Sequence, residues 1–333
     1  MAQFKVLLGD NLIPKEFNMR ENLLKKAAEK NIDLEVVEAT GNSEEELIRL
    51  GKGADVVVVM RNKFNRKVAE ALKDTCKLAI KPAIGYEQID AEACTDNGIM
   101  VANVPAYCTG EVADHTVALY LATVRYLVPR DRAIKDGGWR IPDPYIPRLS
   151  EISFGILGFG RIARAVAARI KPFVKEVIAY DPYLPDSVFA DAGVKRAATV
   201  EEMLPVVEGL SINLPLTDET AGMINSKTLA MMKPTSIIVN TGRGPIIKEA
   251  DLCDAIENGV ILGAGLDVHE VEPLPADSRL RKLDRVILTA HQGSYSNQSI
   301  PQLGDEAMND IIRCLQGEPL IGLVNGRELA ARK

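Results

Sequence analysis

Histidine is scarce in this chain: three among 333 residues, at positions 115, 269 and 291. Any proton transfer near neutral pH that needs an imidazole has few candidates. The five cysteines (Cys76, Cys94, Cys108, Cys253 and Cys314) are odd in number and show no C-x-x-C spacing. That argues against a disulfide framework and fits reduced thiols in a cytoplasmic protein. No basic tail or Lys/Arg cluster is present, and 40 basic against 46 acidic residues leave a formal charge of −6. Nucleic acid is therefore not expected as a ligand. No stretch approaches the ~18 apolar residues of a membrane span, and the apolar run near the N-terminus is too short for a signal peptide. What is present is ordinary globular composition, 47% hydrophobic and 26% charged, long enough for two domains.

Strand and helix signals alternate over the first hundred residues. Short β-rich runs occur at 4–8, 34–37, 56–60, 78–80 and 99–104. Helical periodicity occupies 16–30, and Ser43 with Glu46 predicts a capping box opening a helix to Leu50. Such alternation implies a parallel sheet covered by helices. Residues 109–128 read as one long helix opened by a Thr-x-x-Val cap. A glycine- and proline-rich loop follows over 137–147. A second set of strands is expected at 152–157, 177–180, 210–214, 237–240, 261–266 and 286–289, then a last helix over 301–316. The first sheet should form its own domain, to which the last helix and tail return. The cleft between two such domains is the default ligand site.

The most informative stretch is 154–181. An apolar strand leads into Gly158, Gly160 and Ala163, spaced G-x-G-x-x-A, and a helix over 161–170 follows. The first glycine permits the tight turn, the second lets a pyrophosphate approach the backbone, and the small third residue lets helix and strand pack closely. Free N–H groups and the positive end of the helix dipole would face the phosphates. Asp181 ends the next strand, where a carboxylate accepts hydrogen bonds from an adenosine ribose and repels a 2′-phosphate, favouring NAD over NADP. The plain alternative is a structural turn with no cofactor.

Three polar residues follow strand ends, which face the ligand crevice in open α/β sheets. His291 comes after V-I-L-T and is placed to give a proton to a cofactor-bound substrate. It could equally cap a strand-to-loop turn. Arg243 stands in T-G-R-G-P, cleared by glycines on both sides, where a planar fork suits a substrate carboxylate. A solvated turn arginine is the alternative. Glu272, in H-E-V-E-P, is a carboxylate that could raise the proton affinity of His291 and hold its tautomer. Asp267 could bond a nicotinamide carboxamide. His115 reads as structural or domain-facing, and His269, among charged residues in D-V-H-E, has no clear place. Arg61 and Lys63 are two apart after an apolar strand and could form one anion-binding patch, or a solvated loop.

Taken together, L-G-F-G-R-I-A, A-Y-D-P-Y, N-L-P-L-T-D-E-T, V-N-T-G-R-G, G-L-D-V-H-E-V-E-P-L-P and T-A-H-Q-G resemble the NAD-dependent D-isomer-specific 2-hydroxyacid dehydrogenases. The upstream V-V-V-M-R-N-K, A-I-G-Y-E-Q-I-D, G-I-M-V-A-N-V-P and G-E-V-A-D-H-T resemble them too, in the same order. The resemblance implies an α/β fold of two Rossmann-like domains. A flavodoxin-like, discontinuous substrate domain (1–104 and 295–333) would surround a central NAD-binding domain (105–294). It implies a catalytic set of Arg243, Glu272 and His291. It implies NAD contacts at Gly158, Gly160, Arg161, Ile162, Asp181, Leu214, Pro215, Thr220, Thr241, Gly242 and Asp267. The substrate would meet Arg61, Arg243 and the backbone of Ala83, Ile84 and Gly85. A homodimer, a small 2-oxo or 2-hydroxy acid as substrate, and no metal are further implications. The chain departs from the family pattern at Ala290, commonly proline, and at Ala163, usually glycine. D-P-Y-L-P and D-V-H-E lean towards the C-terminal-binding proteins, NAD(H)-sensing corepressors, whereas the Arg61 loop looks more like phosphoglycerate dehydrogenases. An NAD(H)-sensing scaffold is thus the rival to an enzyme.

Overall fold

The computed structural model describes residues 3–10, 13–139 and 144–331. Part of the expected 137–147 loop lies outside them. The chain divides into two compact units, one of Met1–Tyr107 with Ser296–Lys333, the other of Cys108–Tyr295.

The first unit holds five parallel strands: β1 (Phe4–Leu8), β2 (Leu34–Glu38), β3 (Val56–Val58), β4 (Leu78–Lys81) and β5 (Met100–Asn103), in the order β2-β1-β3-β4-β5. This is the flavodoxin-like order. β3 and β4 are buried along their whole length, as strands with helices on both faces must be. β3 is shorter than the apolar run because the chain bends at Met60. There the Asp10 carboxylate, at the end of β1, accepts the N–H groups of Met60 (2.7 Å) and Arg61 (2.9 Å). The open edge of β5 is covered by the tail, through an antiparallel bridge of Ala102 with Leu323. The Asn325 side chain accepts from Val101 N and donates to Ile99 O, fixing that register.

The second unit holds seven parallel strands: β6 (Ser153–Leu157), β7 (Glu176–Tyr180), β8 (Lys195–Arg196), β9 (Gly209–Ile212), β10 (Ile237–Asn240), β11 (Gly263–Leu266) and β12 (Val286–Leu288). Their order is β12-β11-β10-β9-β6-β7-β8. The order reverses between β6 and β9, the switch point at which doubly wound sheets bind dinucleotides. The two exposed residues of β8 carry no apolar signal, so the sequence gives no sign of them.

Two helix expectations are corrected. The long helix stops at Val124, and a second helix, Leu127–Lys135, follows Tyr126 in the left-handed region (φ 56). Pro129 is the reason: it lacks the N–H owed to Arg125 O and its ring clashes with that carbonyl in a continuous helix. Thr109 lies inside the helix, and its N-cap is Cys108 with no side-chain cap bond. At Glu44–Gly51, Ser43 accepts from Glu46 N as expected, but the Glu46 carboxylate reaches further back, to Thr40 N and Oγ1.

Candidate functional site

The glycine turn sits at the end of β6. Gly158 has φ +77, which a residue with a Cβ adopts at a cost, and a Cβ there would lie 2.8 Å from Asn213 O. Gly160 has an ordinary φ of −69 and caps the helix Arg161–Ile170 without a side chain. A Cβ at Gly160 would meet nothing within 4 Å. The space in front of this glycine is open, and among the described residues no acceptor serves the N–H groups of Arg161 and Ile162. That is the cradle a pyrophosphate requires. Ala163 is fully buried against the sheet, so its small side chain serves the packing role of the third position. Asp181 holds the turn from β7: Oδ2 accepts Phe159 N at 2.9 Å and Oδ1 accepts Tyr183 N at 3.0 Å.

The remaining predicted cofactor positions lie at the ends of neighbouring strands. Leu214 and Pro215 follow β9, and Thr220 Oγ1 donates to Pro215 O at 2.7 Å, closing that loop on itself. Thr241 and Gly242 follow β10. Thr241 Oγ1 shares a hydrogen bond of 2.8 Å with Thr116 Oγ1, and Gly242 N donates to Asn240 Oδ1 at 3.0 Å. Ile162 is half-buried against the core. These groups shape the rim of one sheet end rather than offering free side chains.

The three predicted catalytic residues come from the ends of three adjacent strands, β10, β11 and β12. His291 Nδ1 lies 2.8 Å from Glu272 Oε2. An ionised carboxylate only accepts, so Nδ1 carries a proton and Nε2 is left for another partner. Their side chains are 50% and 38% exposed, so the pair is reachable. His291 has φ 55, a left-handed conformation uncommon outside glycine and asparagine. The backbone is held there by its N–H, which donates to Asp267 O at 2.7 Å. Arg243 Nη1 donates to Gly242 O at 2.8 Å, which orients the guanidinium along the β10 loop.

Asp267 organises the loop rather than presenting an open carboxylate. It is 2% exposed. Oδ1 accepts Thr289 Oγ1 (2.6 Å) and Gln292 N (2.9 Å), and Oδ2 accepts Gly293 N (2.8 Å). Burial alone would push this carboxyl up, but the bonds from His115, Thr289, Gln292 and Gly293 outweigh it and hold it well below the usual carboxylate range. The Thr289 hydroxyl spends its proton on Asp267. It therefore accepts from His115 Nε2 at 3.0 Å, and His115 is the Nε2-protonated tautomer. His115 thus belongs to the site's support. Its helical A-D-H-T context gave no sign of this, because its partners lie 152 and 174 residues away.

In the first unit, Arg61 and Lys63 are exposed and Asn62 between them is buried, its Nδ2 donating to Gly9 O at 2.7 Å. Lys81, unremarked in the sequence, is buried; its Nζ donates to Met60 O at 2.9 Å and to Gln88 Oε1, tying the Arg61 loop to the next one. Ala83 N donates to Lys81 O, whereas among the described residues no acceptor pairs with the N–H groups of Ile84 and Gly85.

Comparison with known proteins decides the family. Residues 117–293 match the model of the D-isomer specific 2-hydroxyacid dehydrogenase NAD binding domain. The chain belongs to the D-isomer-specific 2-hydroxyacid dehydrogenase family. It is 33% identical over 295 residues to a glyoxylate reductase of Korarchaeum cryptofilum, covering 87% of this chain and 88% of that one. It is 36% identical over 292 residues to a D-3-phosphoglycerate dehydrogenase of Methanocaldococcus jannaschii, 87% of this chain but 55% of the relative. The chain thus spans about half the length of the phosphoglycerate dehydrogenases it matches. A solved glyoxylate reductase from Paecilomyes thermophila superposes with a TM-score of 0.86 at 25% identity, covering 98% of this chain and 100% of that one. The family's NAD-binding region falls within the unit Cys108–Tyr295 that carries the glycine cradle.

Proposed function

We propose that this family member is an NAD-dependent dehydrogenase that interconverts a 2-oxo acid and a D-2-hydroxy acid. The observation that carries the reading is the His291–Glu272 pair, 2.8 Å apart and at the same end of the parallel sheet as the glycine cradle. NADH, when bound, supplies the hydride. His291 Nε2 gives a proton to the 2-oxo oxygen in reduction and takes it back in oxidation. Glu272 holds Nδ1 protonated, which fixes the ring's orientation and stabilises its charged form. Arg243 binds the substrate carboxylate and polarises the neighbouring carbonyl. Asp181 receives the adenosine ribose and disfavours a 2′-phosphate. The cofactor contacts are those predicted at the glycine turn and along the β9 and β10 loops.

The first unit, in this reading, is the substrate domain. The unpaired N–H groups of Ile84 and Gly85 support a role in holding the 2-oxo carboxylate. Arg61 and Lys63 together would favour a substrate with a second anionic group. The five cysteines are buried and form no disulfide, which supports a cytoplasmic setting, and no helix among the described residues is long and apolar enough to cross a membrane. The helix Leu127–Lys135 has no buried residue and exposes Leu127, Val128 and Ile134, which supports pairing of two copies through that unit.

The test is NADH oxidation against a panel of mono- and dianionic 2-oxo acids, with direct NADH binding measured in parallel. Turnover of a panel member is expected. Tight binding of NADH with no turnover would replace the enzyme with the NAD(H)-sensing scaffold. With activity in hand, replacing Arg61 and Lys63 by Ala should raise KM for dianionic acids and leave pyruvate and glyoxylate unaffected. A uniform change would remove the second-anion patch.

A further inference from the structure

His269 lies where three loops meet. Its backbone N–H donates to Glu272 Oε1 at 3.1 Å, and the other oxygen of that carboxylate holds His291 Nδ1 at 2.8 Å. Its ring Nε2 bonds Thr289 O at 2.9 Å, two residues before His291. Its carbonyl abuts Gly244, the neighbour of Arg243, so closely that a Cβ there would stand 1.8 Å from the oxygen. One residue therefore touches the segments that carry Arg243, Glu272 and His291. We propose that His269 is a positioning residue that sets the spacing of this catalytic set, through its ring bond to Thr289.

The chemistry of the ring supports a fixed, directional role. A carbonyl only accepts, so Nε2 carries the ring proton and Nδ1 keeps its lone pair. The residue is 6% exposed, and its buried Nδ1 has no partner among the described residues. The cavity it lines with Asn240, Glu249 and Glu270 has a volume of about 10 Å³, at the lower limit for one water. Where a side chain of similar size such as Phe or Met fills the ring's place, water has little room to supply the lost donor. Thr289 O would then be released, and with it the chain that leads to His291. The proposal rests on the reading that His291 and Glu272 carry the acid–base step.

The experiment compares His269→Phe, His269→Gln and His269→Met with His291→Asn. Phe keeps a ring without a donor; Gln and Met are similar in size, with and without an N–H. The measured quantity is kcat per NADH-binding site, so a lower folded fraction does not register. Because a displacement of about 1 Å costs on the order of 10²-fold, His269→Phe and His269→Met should lose roughly 10- to 100-fold in kcat. NADH affinity should stay unchanged, and His269→Gln should recover most of the loss. If His269→Phe does not fold, the Gln and Met pair gives the same comparison. Equal kcat for Gln and Met, or wild-type kcat for all three, would overturn the proposal. If His291→Asn collapses while the His269 variants do not, only the positioning role falls. If His291→Asn keeps full kcat, the acid–base reading falls and the proposal with it.

Discussion

Replacing Gly160 with Ala should separate cofactor binding from folding. The backbone at Gly160 has φ −69, which alanine adopts without strain, and its Cβ would meet nothing within 4 Å. Reduced freedom of the unfolded chain favours the variant by about 0.4–1 kcal/mol. The poorer N-cap costs on the order of 1 kcal/mol. The two nearly cancel, so the apo protein should melt close to wild type. The methyl group, however, stands in the open space in front of the helix N-terminus. Losing one hydrogen bond to a charged phosphate oxygen costs about 1.5–3 kcal/mol, roughly 10- to 100-fold in Kd. Gly158→Ala should behave in the opposite way. Its φ of +77 costs an alanine about 1–2 kcal/mol, and the Cβ would sit 2.8 Å from the carbonyl oxygen of Asn213. The fold itself should suffer. Thermal melts without cofactor and NADH titration by fluorescence measure both quantities. A Gly160→Ala variant that binds NADH as wild type would refute the placing of the pyrophosphate over this glycine.

Three further outcomes are expected. His291→Asn, chosen because asparagine tolerates the left-handed backbone at φ 55, should lower kcat for reduction by ~10²–10⁴-fold with NADH affinity nearly intact; wild-type kcat under chemistry-limited conditions would assign the proton to another group. NADH should exceed NADPH in kcat/KM, and Asp181→Ser should narrow the ratio, the more so because Arg196 Nη2 already lies 3.4 Å from Asp181 O; equal values in the wild type would remove the role given to Asp181. Because the Asp267 carboxyl is held below its unfolded value, its contribution to stability is fully present above the unfolded pKa of about 3.9 and fades as pH falls below it. Asp267→Asn should therefore lose stability near neutral pH, by about 1–3 kcal/mol for an N–H left unpaired, and the gap to wild type should close in acid melts; a gap independent of pH would show that the charge is not what matters.

The sequence by itself determined the parts whose physics is local. A strand buried on both faces is a nearly unbroken apolar run, so β3, β4 and β10 could be read within a residue or two of their limits. The glycine turn was legible because spacing, helix and acid all lie within 28 residues. Arg243, Glu272 and His291 could be named because parallel strands deliver whatever follows them to one end of the sheet. The sequence had less hold where the decisive partner is remote. The long helix ends at Val124 because a proline four residues past Arg125 withholds its N–H, a cue weaker than the apolar run across it. Strand β8 exists only because β7 offers it an edge. His115 and His269 carried no local signal at all. Their place in the site depends on Thr289, 174 and 20 residues away, meeting them after the sheet has brought β11 and β12 side by side. Local periodicity fixes which residues leave a strand end. Only the closed hydrogen-bond network of the folded loops decides which of them hold the others in position.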